Sequence, residues 1–127
     1  MPKSAVSTEH APTAVGPYSQ GMIANGFIFT AGQVPLDPTT GKLVEGDIQV
    51  QARQSLNNIK AILEEAGTSM ANVIKATVFL ADIGDFAAVN EVYATFFEAP
   101  YPARSAFEVA NLPLGAGVEI EVVATLE

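Results

Sequence analysis

The 127 residues are enough to bury one core and too few for several, so a single domain over residues 1–127 is expected. Apolar residues make up 49% and charged residues 16%, which excludes a disordered chain and leaves so few charges that some surface is expected to lie against other subunits. Six Lys and Arg stand against fourteen Asp and Glu, a net charge of −8, and no basic cluster offers itself to a phosphate backbone.

Nucleic acid is therefore not the expected partner. With no cysteine, disulfides, thiolate chemistry and Cys-built metal sites are excluded. The single histidine, His10, lies in a polar segment and is expected to be solvated. Met1 to Ala14 lacks the apolar run of a secretion signal, and no window approaches the roughly 20 apolar residues of a membrane span. The expectation is a soluble, cytoplasmic protein with no membrane partner.

In chain order, residues 1–17 are polar and proline-punctuated and are expected to start extended. Tyr18 to Ala24 and Phe27 to Val34 flank Asn25-Gly26, the dipeptide that a type I′ turn favours because both central residues take positive φ. A hairpin follows from that. Asp37 to Gly41 is a turn, with a short strand expected over Lys42 to Val44. Asp47 is placed to cap a helix reaching Ala66. There Ile48, Ala52, Leu56, Ile59, Leu63 and Ala66 recur every three or four residues, and Gly67 stops it. Val73 to Leu80 alternates, with Ile74, Ala76, Val78 and Leu80 on one face. Asp85 is expected to cap a second helix striped by Phe86, Val89, Tyr93 and Phe96, ended by Ala99-Pro100-Tyr101-Pro102. A strand beginning at Pro102, a turn over Asn111 to Gly117 and a last strand over Val118 to Leu126 complete the chain.

This order, β-β-(β)-α-β-α-β-β, predicts an α+β fold with two helices on one face of a mixed β-sheet. In the last strand Val118, Ile120, Val122, Ala124 and Leu126 belong under the helices, and Glu119 and Glu121 point away. In the strand before it, Phe107 and Val109 are the core candidates, which would put Arg104, Ala106 and Glu108 on the open face. If these two strands pair, Arg104 and Glu119 share that face. Arg104 is the only Lys or Arg between Ala76 and Glu127. An arginine so isolated is either an ion-pair partner of Glu119, Glu121 or Glu108, or a receiver for a ligand's carboxylate. The open face also carries small and apolar groups, which packing against copies of itself would cover.

Several motifs stand in order along the chain: Gly16-Pro17-Tyr18-Ser19-Gln20-Gly21, Ala31-Gly32-Gln33-Val34-Pro35, Gln51 to Asn58, Asp85-Phe86 with Val89-Asn90, and Pro102-Ala103-Arg104-Ser105-Ala106-Phe107 followed by Val109 to Leu112 and Val118-Glu119-Ile120. Together they make the chain resemble the RidA/YjgF family, the reactive intermediate deaminases, over essentially its full length. The resemblance implies a chorismate-mutase-like subunit, a homotrimer whose three sheets line a barrel, and sites in the clefts between subunits. It implies hydrolysis of 2-iminopropanoate and 2-iminobutanoate to 2-oxo acids and ammonia, with no metal or organic cofactor because the imine carbon is already electrophilic.

The family pattern also gives roles to residues. Arg104 would bind the substrate carboxylate and Glu119 would direct the attacking water, with Glu121 its competitor two residues on. Tyr18 would line the cleft, Gly32 would offer its backbone N–H, and Asn90 and Ala106 would contact the substrate. Many members have Ser in place of Ala31 and Cys in place of Ala106, so substrate range is open to change here. The alternative functions are a non-catalytic trimer that binds 2-oxo acids in the same clefts, and RNA cleavage, against which the acidic balance argues.

Overall fold

Residues 2–127 are described by the computed structural model, and they fold into a mixed sheet with two helices packed on it. The elements are β1 (Ser4–Val6), β2 (Gly21–Ala24), β3 (Phe27–Thr30), α1 (Ile48–Glu65), β4 (Val73–Leu80), α2 (Phe86–Ala94), β5 (Ala103–Glu108) and β6 (Val118–Thr125). The strands lie in the order β1-β2-β3-β6-β4-β5, antiparallel throughout except for the β4–β5 pair. β1 and β5 are free edges, so the sheet is open and forms no closed barrel within the chain.

Asn25 and Gly26 take φ of 53° and 82°, the type I′ geometry their sequence predicts, and β2 pairs with β3 around them. Both strands are shorter than expected. Before β2, the side chain of Gln20 takes over the role of a ladder. Its Oε1 accepts the Thr8 N–H at 2.7 Å, and its Nε2 donates to the carbonyls of Thr8, Ala11 and Pro12. That clamp holds the N-terminal segment against the sheet and lets Ser4–Val6 pair with β2, a strand the polar sequence does not advertise. No strand forms over Lys42 to Val44, where a single bridge joins Leu36 and Leu43.

α1 behaves as its pattern requires. The Asp47 carboxylate accepts the Val50 N–H at 3.0 Å, and Leu56, Ile59, Ile62 and Leu63 are fully buried. Each such side chain contributes about 1.5–3 kcal/mol on leaving water. They pack on Ile28, Val78, Leu80, Val118, Ile120, Val122 and Ala124 from the sheet.

Two local expectations are corrected. A bulge between Val73 and Lys75 exposes Ile74 and buries Val73, because the extra residue shifts the pleat by one. Asp85 makes no side-chain cap. A 3-10 turn over Ile83–Asp85 precedes α2, and it is Asp82 whose carboxylate accepts the Gly84 N–H at 2.8 Å.

The larger correction concerns β5. It pairs in parallel with β4, setting Arg104 opposite Ala76 and Ala106 opposite Val78, and it does not pair with β6. A strand that returns through a helical crossover joins its predecessor in parallel. Since Ala76 and Val78 face the helices, Arg104 and Ala106 do too. Phe107 instead stands on the open face, 44% exposed, edge-on to Phe79 with ring centres 5.3 Å apart.

Candidate functional site

Arg104 projects from the edge strand toward one stripe of α2. Phe86, Asn90 and Tyr93 are four and three residues apart on that helix, which puts them on the same side. The guanidinium carbon lies 4.7 Å from the centre of the Tyr93 ring and 5.2 Å from that of Phe86. Nη1 donates to Asn90 Oδ1 at 2.6 Å. A cleft of about 420 Å³ opens here, lined by Asn90, Tyr93, Ala94, Tyr101, Pro102 and Arg104.

The three carboxylates that could have paired with Arg104 are elsewhere. Glu119 and Glu121 sit opposite Phe79 and Thr77 on the other face of the sheet. Glu108 Oε1 accepts the Ile83 N–H at 2.9 Å. Among the described residues, then, the side-chain hydrogen bond that Arg104 makes goes to a neutral amide, and its charge stays uncompensated. Burial holds the Tyr93 phenol above its ordinary pKa, and the nearby Arg104 cation partly opposes that shift.

Glu119 is built into a second cluster. Gln33 and Ile120 exchange backbone hydrogen bonds of 2.8 and 3.1 Å, which press the Ala31-Gly32 segment alongside β6. The Glu119 carboxylate then lies directly over Gly32. A Cβ added at Gly32 would collide with Glu119 Oε2 and stand 2.8 Å from its carboxyl carbon, so a larger residue there would make the Glu119 side chain swing away. Burial raises the Glu119 pKa above the usual glutamate value, and the neighbouring charge of Glu121 raises it further. Tyr18 lies two residues before Gln20, whose carbonyl accepts the Ala31 N–H at 2.8 Å, and it lines a cavity with Ala5 to Thr8, Thr13 and Ala14 of the N-terminal segment. Tyr18 is 51% exposed, and its hydroxyl accepts the Val15 N–H at 3.4 Å.

The predicted site residues therefore fall into two halves. Arg104, Asn90 and Ala106 belong to the helix face at the β5 edge, while Glu119 and Gly32 belong to the open face, and Tyr18 stands with the N-terminal segment. The expectation that Arg104 and Glu119 share one face is overturned by the parallel β4–β5 register, since a strand's side chains alternate strictly. One chain does not present both groups to one small ligand. The rings of Phe86 and Tyr93 beside Arg104 escape a reading by hydrophobic stripe alone. The signal for them is their helical spacing about Asn90.

Among the described residues no group of three His, Cys, Asp or Glu is placed to hold a metal ion, and no helix is long and apolar enough to cross a membrane.

Comparison with known proteins matches residues 8–126 to a family model described as "Endoribonuclease L-PSP". A RutC family protein of Pyrococcus horikoshii is 54% identical over 125 residues, covering 98% of this chain and 99% of the relative. A 2-iminobutanoate/2-iminopropanoate deaminase of Capra hircus is 50% identical over 119 residues, covering 94% of this chain and 87% of the relative. The crystal structure of TdcF from E. coli with bound serine superposes with a TM-score of 0.91 at 46% identity, covering 96% of this chain and 98% of that one.

Proposed function

The chain belongs to the RidA/YjgF family, whose family model carries the endoribonuclease L-PSP description, and from that membership we propose that it hydrolyses 2-imino acids to 2-oxo acids and ammonia. The observation that carries the reading is the uncompensated guanidinium of Arg104 at a cleft wall, held by a neutral amide and two rings. A cation in that condition is suited to a ligand's carboxylate, which it binds through two parallel hydrogen bonds. Relatives about 50% identical carry the deaminase name, which supports the same chemistry.

In this reading Arg104 anchors the carboxylate, and water adds to the adjacent imine carbon. A C–O bond forms as Glu119 accepts a proton from the water and the imine nitrogen takes one from solvent. Glu119 then returns its proton to the nitrogen of the carbinolamine. The C–N bond breaks, ammonia leaves, and the hydroxyl proton passes to solvent as the 2-oxo acid forms, replacing the one the imine nitrogen took. A carboxylate whose pKa is raised by burial is better matched to both transfers than an ordinary glutamate. Gly32 offers its N–H to the ligand and Tyr18 closes the cleft.

Because Arg104 and Glu119 lie on opposite faces of one sheet, the complete site is formed between copies. Arg104, Asn90 and Ala106 come from one, and Glu119, Gly32 and Tyr18 from its neighbour. A homotrimer of chorismate-mutase-like subunits supplies such clefts and covers the exposed Phe27, Phe29 and Phe107 of the open face. The second reading, a trimer that binds carboxylate ligands without turnover, is favoured by the serine held by TdcF, since serine has no imine to hydrolyse. RNA cleavage is opposed by the net charge of −8.

The test couples threonine dehydratase to this protein and follows 2-oxobutanoate release. Acceleration by wild type, lost in Arg104→Ala, is expected. A folded wild-type oligomer that gives no acceleration would overturn the hydrolase reading in favour of binding alone.

A further inference from the structure

An arginine meant to receive a carboxylate faces a conflict. A side chain of five rotatable bonds must be held still, yet the usual holder, a carboxylate, would neutralise the charge that the ligand is to meet. The α2 stripe resolves this without charge. Phe86 and Tyr93 place ring centres 5.2 and 4.7 Å from the guanidinium carbon, inside the roughly 6 Å over which a ring face attracts a cation. Asn90 takes Nη1 through a neutral oxygen. Tyr93 is itself pinned in the core, its ring 4.6 Å from that of Phe97, so the support is rigid.

We propose that Phe86 and Tyr93 are positioning residues that clamp the Arg104 guanidinium, so that its remaining N–H groups face the cleft already oriented for a carboxylate. The proposal rests on the reading of Arg104 as the carboxylate receiver and deepens it. The clamp preserves the full positive charge while removing the rotational freedom that binding would otherwise have to remove. Phe86 is the residue to test, because it is only partly buried and packs at the margin of the core, where leucine keeps most of the apolar volume.

Two readouts are made on Phe86→Leu and on Phe86→Tyr, which keeps a ring. The first is steady-state imine hydrolysis. Loss of one cation–ring contact is expected to raise KM about threefold to tenfold in Phe86→Leu, with wild-type KM restored in Phe86→Tyr. Turnover at saturation should hold within about twofold, since the contact persists from bound substrate to transition state. The second is side-chain NMR of ¹⁵N-labelled protein, reporting rotation of the Arg104 guanidinium about its Nε–Cζ bond. Rotation is expected to be hindered in wild type and in Phe86→Tyr, and faster in Phe86→Leu.

Unchanged KM in Phe86→Leu, or a KM increase that Phe86→Tyr does not reverse, would overturn the clamp. So would equal rotation in all three proteins. If wild type turns over no imine, the hydrolase reading fails by itself, and the rotation measurement still decides the clamp.

Discussion

A single acidic side chain shows how strongly placement governs chemistry here. Glu119 and Glu121 are identical in type, lie two residues apart and share one face, so nothing in their immediate sequence ranks them. The Gly32 backbone does, because only Glu119 is seated over it. That seat removes water from the carboxylate and raises its pKa, with the charge of Glu121 adding to the effect. The consequence for stability has a definite sign. A carboxyl with a raised pKa in the folded state contributes stability at pH values below the ordinary glutamate range, and that contribution is lost as pH rises through the raised value. Glu119→Gln is therefore expected to be more resistant to urea than wild type at neutral pH, with the difference closing as the solution is made acidic. Urea midpoints at a series of pH values check this; a variant less stable than wild type at neutral pH would show that the buried charge is compensated. In the proposed hydrolysis the same group acts as a base when ionised. Imine hydrolysis should then fall on acidification at a pH above the usual glutamate pKa.

At the level of elements, legibility tracked how local the determining contacts are. α1 was readable almost to the residue, because its apolar stripe and its Asp47 cap lie within its own sequence. The Asn25-Gly26 hairpin was readable for the same reason. What depended on distant partners was not. β1 exists because Gln20 binds carbonyls eight to twelve residues earlier, and Ile74 is exposed because of a bulge against β6. The face of β5 was not legible, because hydrophobicity favours Phe107 for the core, whereas the parallel register with β4 sets Arg104 beside the buried Ala76 and Phe107 beside Phe79. With Phe107 on the open face, Arg104 falls on the helix side. The candidate site was thus legible as residue types and motifs, and illegible as an arrangement. The two aspartates near the helix starts convert this contrast into a measurement. Asp47 accepts a capping hydrogen bond, so Asp47→Ala should cost about 1 kcal/mol of stability. Asp85 makes no such bond, so Asp85→Ala should stay within about 0.5 kcal/mol of wild type. Equal losses from both, measured by denaturant unfolding, would mean that the Asp47 contact contributes nothing beyond surface charge.

For the whole molecule, the decisive point is that a sheet has two faces and the proposed site draws on both. In the proposed reaction Arg104, on the helix side of β5, receives the carboxylate and Glu119, on the open side of β6, moves the proton, and the two do not face one small ligand within a single chain. They can meet when the edge of one copy docks against the open face of the next. In a ring of three copies every interface is head-to-tail, with different patches from each neighbour, which is what two unlike half-sites require. A shared site has a signature that a self-contained one lacks. Arg104→Ala retains a good Glu119 half, and Glu119→Gln retains a good Arg104 half, so each should be inactive alone. When the two are unfolded together, mixed at equal amounts and refolded, some interfaces will join the two intact halves. Random assembly then restores roughly a quarter of wild-type activity, one interface in four being intact. Refolding each variant separately and mixing afterwards should restore none until subunits exchange. If the co-refolded mixture stays as inactive as its components, while the wild type refolds to full activity by the same procedure, both groups must act from the same chain. The opposite-face geometry would then have to be reconciled by a rearrangement of β5.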